Sequence, residues 1–165
     1  MKKLLVSACL LGEPLRYDGD NNADKVSHLK TLLDQWMAEG RIVPVCPETL
    51  GGLPTPRPPA EIIAATGSMV LDGTGRVATR HQIDVTEAFL NGAEETLVLA
   101  KKHQCGAALL AARSPSCGNQ LIYNGSLNNT LAEGDGVTTA LLKRNDILCF
   151  SPDNPAPLIQ WMEQG

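Results

Sequence analysis

The chain has 165 residues, 43% of them apolar and only 4% aromatic, and a formal charge of −4. That length builds one domain, residues 1–165, around a single sizeable core, and without a run of about 18 apolar residues nothing spans a bilayer. The absence of Lys/Arg blocks argues against binding nucleic-acid polymers, although a single nucleobase or nucleotide stays open.

Five cysteines, an odd number, fit a reducing compartment better than a disulfide framework, so the expected location is the cytoplasm. Met1-Lys2-Lys3, Leu4 to Ala8 and Cys9 look like a lipoprotein signal. The apolar stretch of about five residues is too short for an h-region, which needs roughly 7–15. Leu4–Ala8 reads instead as a buried strand ending at Cys9. Gly12-Glu13-Pro14 turns the chain into the polar loop Arg16-Tyr17-Asp18-Gly19. Asp24 or Ser27 is placed to cap a helix through Leu29, Leu32, Leu33, Trp36 and Met37, and Gly40 ends it.

Ile42–Val45 is the second strand. Cys46-Pro47-Glu48 and a stretch too rich in Pro and Gly for helix or central strand follow, down to Glu61. Glu61–Ala65 reads as a short helical piece. Met69-Val70-Leu71 and Val77-Ala78-Thr79 flank Asp72-Gly73-Thr74-Gly75, a pattern that predicts a β-hairpin. Its Gly-x-Gly lacks the third glycine and following helix of a dinucleotide fingerprint. Asp84-Val85-Thr86 opens a long helix with Phe89, Ala93, Leu97 and Ala100 on one stripe, and Lys101-Lys102-His103 suit its C-terminal end. Ala107–Ala111 is a third buried strand leading into Ser114-Pro115-Ser116-Cys117-Gly118. Leu121-Ile122-Tyr123 with Asn124–Asn129 forms a loop or hairpin. Gly134-Asp135-Gly136-Val137-Thr138 precedes a helix through Leu141-Leu142, Ile147–Phe150 is the last strand, and Leu158–Met162 a terminal helix.

Strands alternating with helices give an α/β fold: a three-layer, Rossmann-like parallel sheet with helices on both faces and a small β-hairpin insertion. Ligands in such sheets bind beyond the carboxyl ends of the strands. Cys9, Cys46 and Cys117 each follow a strand at that edge, on turns containing Gly or Pro, so topology brings them to one crevice. Cys149 lies inside an apolar run and Cys105 beside a helix end, where a thiol is a small hydrophobe. Without a Cys-x-x-Cys, a redox dithiol and a zinc ribbon are weak readings. Three thiolates leave an open position on a metal or cluster, and soft sulfur favours iron–sulfur, zinc or Cu(I). Residue chemistry alone goes no further.

Val6-Ser7-Ala8-Cys9-Leu10-Leu11-Gly12 with Arg16-Tyr17-Asp18-Gly19, Cys46-Pro47-Glu48 with Gly51-Gly52-Leu53-Pro54 and Pro56-Arg57, and Ser114-Pro115-Ser116-Cys117-Gly118 resemble a bacterial family long called a domain of unknown function, whose characterised type is thiouracil desulfidase. Gly136-Val137-Thr138 and Phe150-Ser151 extend the resemblance, which runs from about Lys3 to Ser151. It implies a [4Fe-4S] cluster held by Cys9, Cys46 and Cys117 with one iron open, and Glu48 and Ser114 at the reaction centre. The expected activity is hydrolytic, non-redox removal of sulfur from a thiocarbonyl such as a 2-thiouracil-like nucleobase. The chain departs from the family pattern at Ala111, Asn124, Leu127, Asn128-Asn129 and Pro152, positions that bear on the substrate.

Arg16, Tyr17, Asp18 and Arg57, on the turns nearest the site, are candidates to orient a planar base. The plainer alternatives are surface ion pairs, Arg16 with Asp18 and Arg57 with Glu61. Turn formation is the plainer reading of Glu48 and Ser114. Thr138 and the amides after Gly136 stand where a helix start binds an anion or is merely capped. His28, His81 and His103 carry no catalytic role. The competing readings of the whole are a non-catalytic iron–sulfur or metal carrier or sensor, and a zinc–thiolate hydrolase.

Overall fold

The computed structural model describes residues 1–14, 16–20, 23–111, 114–123, 125 and 131–164, with only the backbone of 24, 25, 121 and 131. Asn124 and Leu127 to Asn129 lie outside the described residues, as does the Asp24 side chain.

Strand β1 (Lys3–Ser7) buries Leu4, Leu5 and Val6 completely. Consecutive strand residues face opposite sides, so three buried in a row mean that both faces of the sheet are covered. A 3-10 turn, Ala8–Leu11, follows at once. A second 3-10 segment, Ala23–Leu29, leads into helix α1 (Lys30–Ala38). Leu29 stands at the N-cap and no side chain caps the helix, so Ser27 does not serve there. Leu33 and Trp36 are its buried residues, and Gly40, at φ 72°, reverses the chain.

Next come β2 (Ile42–Val45), α2 (Pro47–Leu50), β3 (Ala60–Ile62), α3 (Gly67–Leu71), β4 (Val77–Thr79) and the long α4 (Thr86–Lys102). The chain closes with β5 (Cys105–Leu109), β6 (Leu121–Tyr123), β7 (Leu131–Glu133), α5 (Val137–Arg144), β8 (Leu148–Phe150) and α6 (Ala156–Glu163). The main sheet is parallel throughout, in the order β2-β1-β5-β8. β1 lies between β2 and β5, so the carboxyl ends of these three strands are neighbours. The main core gathers strand residues with Leu29, Leu33, Trp36, Ala100, Leu142, Leu158 and Met162. A smaller one joins Ile62, Val70, Val77, Phe89, Ala93, Ile122 and Val137.

Two expectations are corrected in the middle of the chain. Residues 69–71 are helical, in α3, and β4 pairs antiparallel with β3 rather than with them. Glu61 and Ile62, expected in a helical piece, belong to β3. The turn at 72–75 is real, with Gly73 at φ 83°, but it closes a helix: the Gly73 amide donates to the Val70 carbonyl at 3.1 Å. Three-residue apolar runs fit helix and strand equally well. The Thr66 hydroxyl, accepting from the Met69 amide at 3.4 Å, decides for helix. Two small antiparallel pairs stand beside the main sheet, β3 with β4 and β6 with β7, Ile122 facing Ala132.

Candidate active site at the carboxyl edge of the sheet

Each of the three cysteine-bearing turns is fixed by backbone chemistry. Cys9 sits in the 3-10 turn after β1. That turn ends on Gly12 at φ 94°, letting the Gly12 and Glu13 amides donate back to Cys9 and Ala8 carbonyls at 3.4 and 3.3 Å. Only glycine enters that left-handed conformation cheaply.

Cys46 is the N-cap residue of α2, with Pro47 in the first helical position, where a missing N–H costs nothing. Gly52, at φ 95°, closes that helix while the Leu53 amide donates to the Glu48 carbonyl at 3.1 Å. One turn along α2, the Thr49 hydroxyl donates to Cys46 Sγ at 3.1 Å. The helix is pressed onto α4 through two glycines. A Cβ added at Gly51 would lie 2.0 Å from the Ala88 carbonyl oxygen, and one at Gly92 2.0 Å from that of Pro47.

Cys117 lies deeper. Ser114 Oγ accepts from the Ser116 and Cys117 amides at 3.2 and 2.6 Å, and the Gly118 amide returns to the Ser114 carbonyl at 2.9 Å. The turn is then gripped by the start of α5. Amides of Gly136, Val137 and Thr138 donate to the carbonyls of Gly118, Pro115 and Ser116 at 2.8, 2.7 and 2.9 Å. The Thr138 hydroxyl bonds that of Ser116 at 2.8 Å, and the Thr139 hydroxyl donates to the Cys117 carbonyl at 2.9 Å. These first-turn donors are satisfied by the loop, so the amides after Gly136 hold Cys117 in place and are not offered to an anion.

The Ser7 hydroxyl, at the end of β1, accepts from the Ala111 amide at 2.9 Å and donates to Cys117 Sγ at 3.6 Å. Burial pushes the Cys117 thiol up to about 12; the Ser7 hydrogen bond opposes this, while negative charge on Cys9, Glu48 and Cys46 adds to it. All three groups are therefore within electrostatic reach of the Cys117 sulfur, at adjoining strand ends. By itself the Cys117 thiol stays neutral; a metal would deprotonate a thiol bound to it.

Glu48 meets Arg57 in a short ion pair, 2.6 Å from Nε to Oε2, with the two side chains 17% and 6% exposed. Arg57 Nη1 also donates to the Pro54 carbonyl and the Thr55 hydroxyl at 3.2 and 3.0 Å. Its amide donates to the Tyr17 carbonyl, tying the Arg16–Gly19 loop to the Pro-rich turn. On that loop the Arg16 guanidinium lies 5.7 Å from the Tyr17 ring centre and 3.7 Å from the Asp18 carboxylate. Tyr17 is 41% exposed. Glu61 accepts from the Gly125 amide at 2.9 Å.

The remaining thiols stand elsewhere. Cys105 begins β5, at the opposite edge of the sheet, and Cys149 lies in the edge strand β8. Burial raises both thiols, that of Cys149 to about 12. Sequence reasoning gives no role to Ser7, Thr49, Gly92 or Thr139. Thr49, one helical turn after Cys46, and Gly92, an isolated glycine in a helical pattern, carry a readable signal. Ser7 and Thr139 carry none.

Among the described residues no group of three His, Cys, Asp or Glu side chains could hold one metal ion. Thiolates suit an iron–sulfur cluster by their softness, and a cubane takes each of them on a separate iron.

Comparison with known proteins agrees with this geometry. The chain is 45% identical over 141 residues to the uncharacterized protein YbbK of Bacillus subtilis (strain 168), covering 86% of this chain and 89% of that one. A solved structure, the [4Fe-4S]-dependent thiouracil desulfidase TudS, superposes with a TM-score of 0.87 at 42% identity over the whole of both chains. The family model for 2-thiouracil desulfurase matches residues 4–154. The chain belongs to the 2-thiouracil desulfurase family.

Proposed function

We propose that the protein is a [4Fe-4S]-dependent desulfidase that hydrolyses a thiocarbonyl compound of the 2-thiouracil type, with Cys9, Cys46 and Cys117 holding the cluster. The observation that carries this is the electrostatic reach of Cys9, Cys46 and Glu48 to the Cys117 sulfur, at adjoining strand ends of a chain in this family. When bound, the cluster supplies a soft Lewis acid with one open iron for the substrate's sulfur. The thiocarbonyl compound and water give the carbonyl compound and hydrogen sulfide in equal amounts, so the reaction balances with no electron donor or acceptor.

Glu48 is the general base. Arg57 occupies Oε2, and among the described residues Oε1 has no hydrogen-bond partner, so it is available to a water. That water's proton passes to Oε1 as its oxygen adds to the thiocarbonyl carbon. The ion pair keeps the Glu48 carboxylate aimed, and the two further bonds from Arg57 Nη1 hold the guanidinium itself. Ser114 Oγ already accepts two amides, which uses both of its lone pairs and favours water as the nucleophile. Ser114 then orients the Cys117 turn and keeps its hydroxyl proton to donate. Tyr17, with Arg16 and Asp18, offers an exposed ring on which a planar base stacks. Thiols at Cys105, Cys117 and Cys149 suit a reducing cytoplasm.

The test is anaerobic reconstitution with iron and sulfide, a count of both, and conversion of 2-thiouracil to uracil. Turnover that follows cluster content supports the proposal. A full cluster with no turnover on 2-thiouracil or other thiocarbonyls makes the protein a carrier, and stoichiometric zinc with activity in air makes it a zinc hydrolase.

A further inference from the structure

Two hydroxyls are aimed at sulfur. Thr49 is exposed on α2, and its Oγ1 sits 3.1 Å from Cys46 Sγ. Ser7 is 2% exposed; the Ala111 amide, 2.9 Å away, fills an acceptor position on its oxygen and leaves the proton for Cys117 Sγ at 3.6 Å. Both approach the sulfur as donors, and they come from different elements, β1 and α2. A buried hydroxyl where an apolar side chain of the same size would fit needs a polar reason to be kept.

We infer that Ser7 and Thr49 are positioning residues whose hydroxyls donate to the thiolates of Cys117 and Cys46, withdrawing negative charge from the iron–sulfur group those thiolates carry. This rests on the proposed cluster assignment and adds a role for residues outside the ligand set. A donated hydrogen bond makes a thiolate a weaker electron donor to its iron. Hydrogen bonds to ligating sulfur are among the levers that set cluster potentials. Each bond therefore moves the midpoint potential upward and makes the site more electrophilic toward an incoming sulfur.

The experiment compares unsubstituted protein, Thr49→Val, Thr49→Ser and Ser7→Ala, all reconstituted anaerobically. Iron and sulfide are counted first, and midpoint potentials are then measured by redox titration followed by electron paramagnetic resonance. Valine keeps the shape of threonine without its hydroxyl, and serine keeps the hydroxyl without the methyl. The expected result is full iron in each, a more negative potential in Thr49→Val and Ser7→Ala, and the original potential in Thr49→Ser. Loss of the cluster in Thr49→Val but not in Thr49→Ser also supports the role, since the hydroxyl alone separates them. Equal potentials in all four proteins overturn it, as does loss in both Thr49 variants, which assigns the effect to side-chain shape. A cluster that forms equally well in Cys117→Ala removes the ligand assignment and this inference with it, whereas unchanged potentials on an intact cluster remove only the inference.

Discussion

Gly92 lies in the middle of α4 and touches no proposed ligand, yet its replacement by alanine tests how the site is held. On helix propensity alone the change stabilises by about 0.8–1 kcal/mol. The new Cβ, however, would lie 2.0 Å from the Pro47 carbonyl oxygen and 2.9 Å from its carbon. Ordinary carbon–oxygen contact is above about 3.2 Å, so α2 must retreat by roughly 1 Å. Overpacking of that kind costs about 1–3 kcal/mol, which offsets the propensity gain and leaves a net loss of up to about 2 kcal/mol. Function suffers more than stability, because Pro47 sits between Cys46 and Glu48. A displacement of about 1 Å of catalytic groups costs on the order of 10²-fold in rate. Gly92→Ala, with Val98→Ala as an exposed control on the same helix, is to be assayed for 2-thiouracil conversion, iron content and urea unfolding. A variant more stable than the parent by about 1 kcal/mol and fully active would refute the close α2–α4 approach and the positioning drawn from it.

Cys117→Ala abolishes cluster retention while Cys149→Ala preserves it, as an iron count reads directly; equal loss in both undoes the ligand assignment. Glu48→Gln keeps an amide oxygen for Arg57 and retains the cluster, but loses about 10²–10⁴ in rate; unchanged turnover removes Glu48 as the base. Ser114→Ala deprives two amides of their acceptor and lowers stability by about 1 kcal/mol. It leaves substantial turnover on the cluster that does form, whereas zero turnover on a full cluster would reinstate Ser114 as nucleophile. The Cys149 thiol, raised by burial to about 12 in the folded chain, has an ordinary value near 8.5 when unfolded. Its contribution is complete below about pH 8.5, and between there and about 12 the unfolded chain alone releases the proton. Cluster-free protein therefore loses about 1.4 kcal/mol of stability per pH unit through this group. Cys149→Ala flattens the decline by that slope in urea titrations at pH 8 and 10, and parallel slopes would refute the burial argument.

The parallel sheet of strands alternating with helices was the part of the fold that chain order made legible. Ile42–Val45 and the long helix from Thr86 stand where hydrophobic periodicity put them, because both are bounded by strong signals: Gly40 and Pro47 for the strand, Asp84 and Lys101-Lys102 for the helix. The segment from Glu61 to Thr79 misleads since its apolar runs are three residues long and its decisive cap, Thr66, lies before the run. Cys9, Cys46 and Cys117 were legible as a set because each follows a strand and precedes a glycine. The support around them was not. Ser7, Thr49 and Thr139 act through contacts with residues 110, 3 and 22 positions away, and only the middle spacing repeats any local periodicity.

The three sulfurs are not equivalent in burial, and the difference bears on where the proposed substrate would come in. Cys117 is 6% exposed, walled by Ser116 at 1% and gripped by the start of α5. Cys9 and Cys46 are half-buried on short turns, the Glu48 side chain is 17% exposed and Tyr17 41%. Burial thus falls from the α5 side toward the Pro-rich turn and the Arg16–Gly19 loop. If the proposed function holds, a thiolated base comes in on the side where burial is least, that of the Pro-rich turn and the Tyr17 loop. The Glu48 carboxylate, the proposed base, is held by Arg57, whose backbone also ties down the Arg16–Gly19 loop.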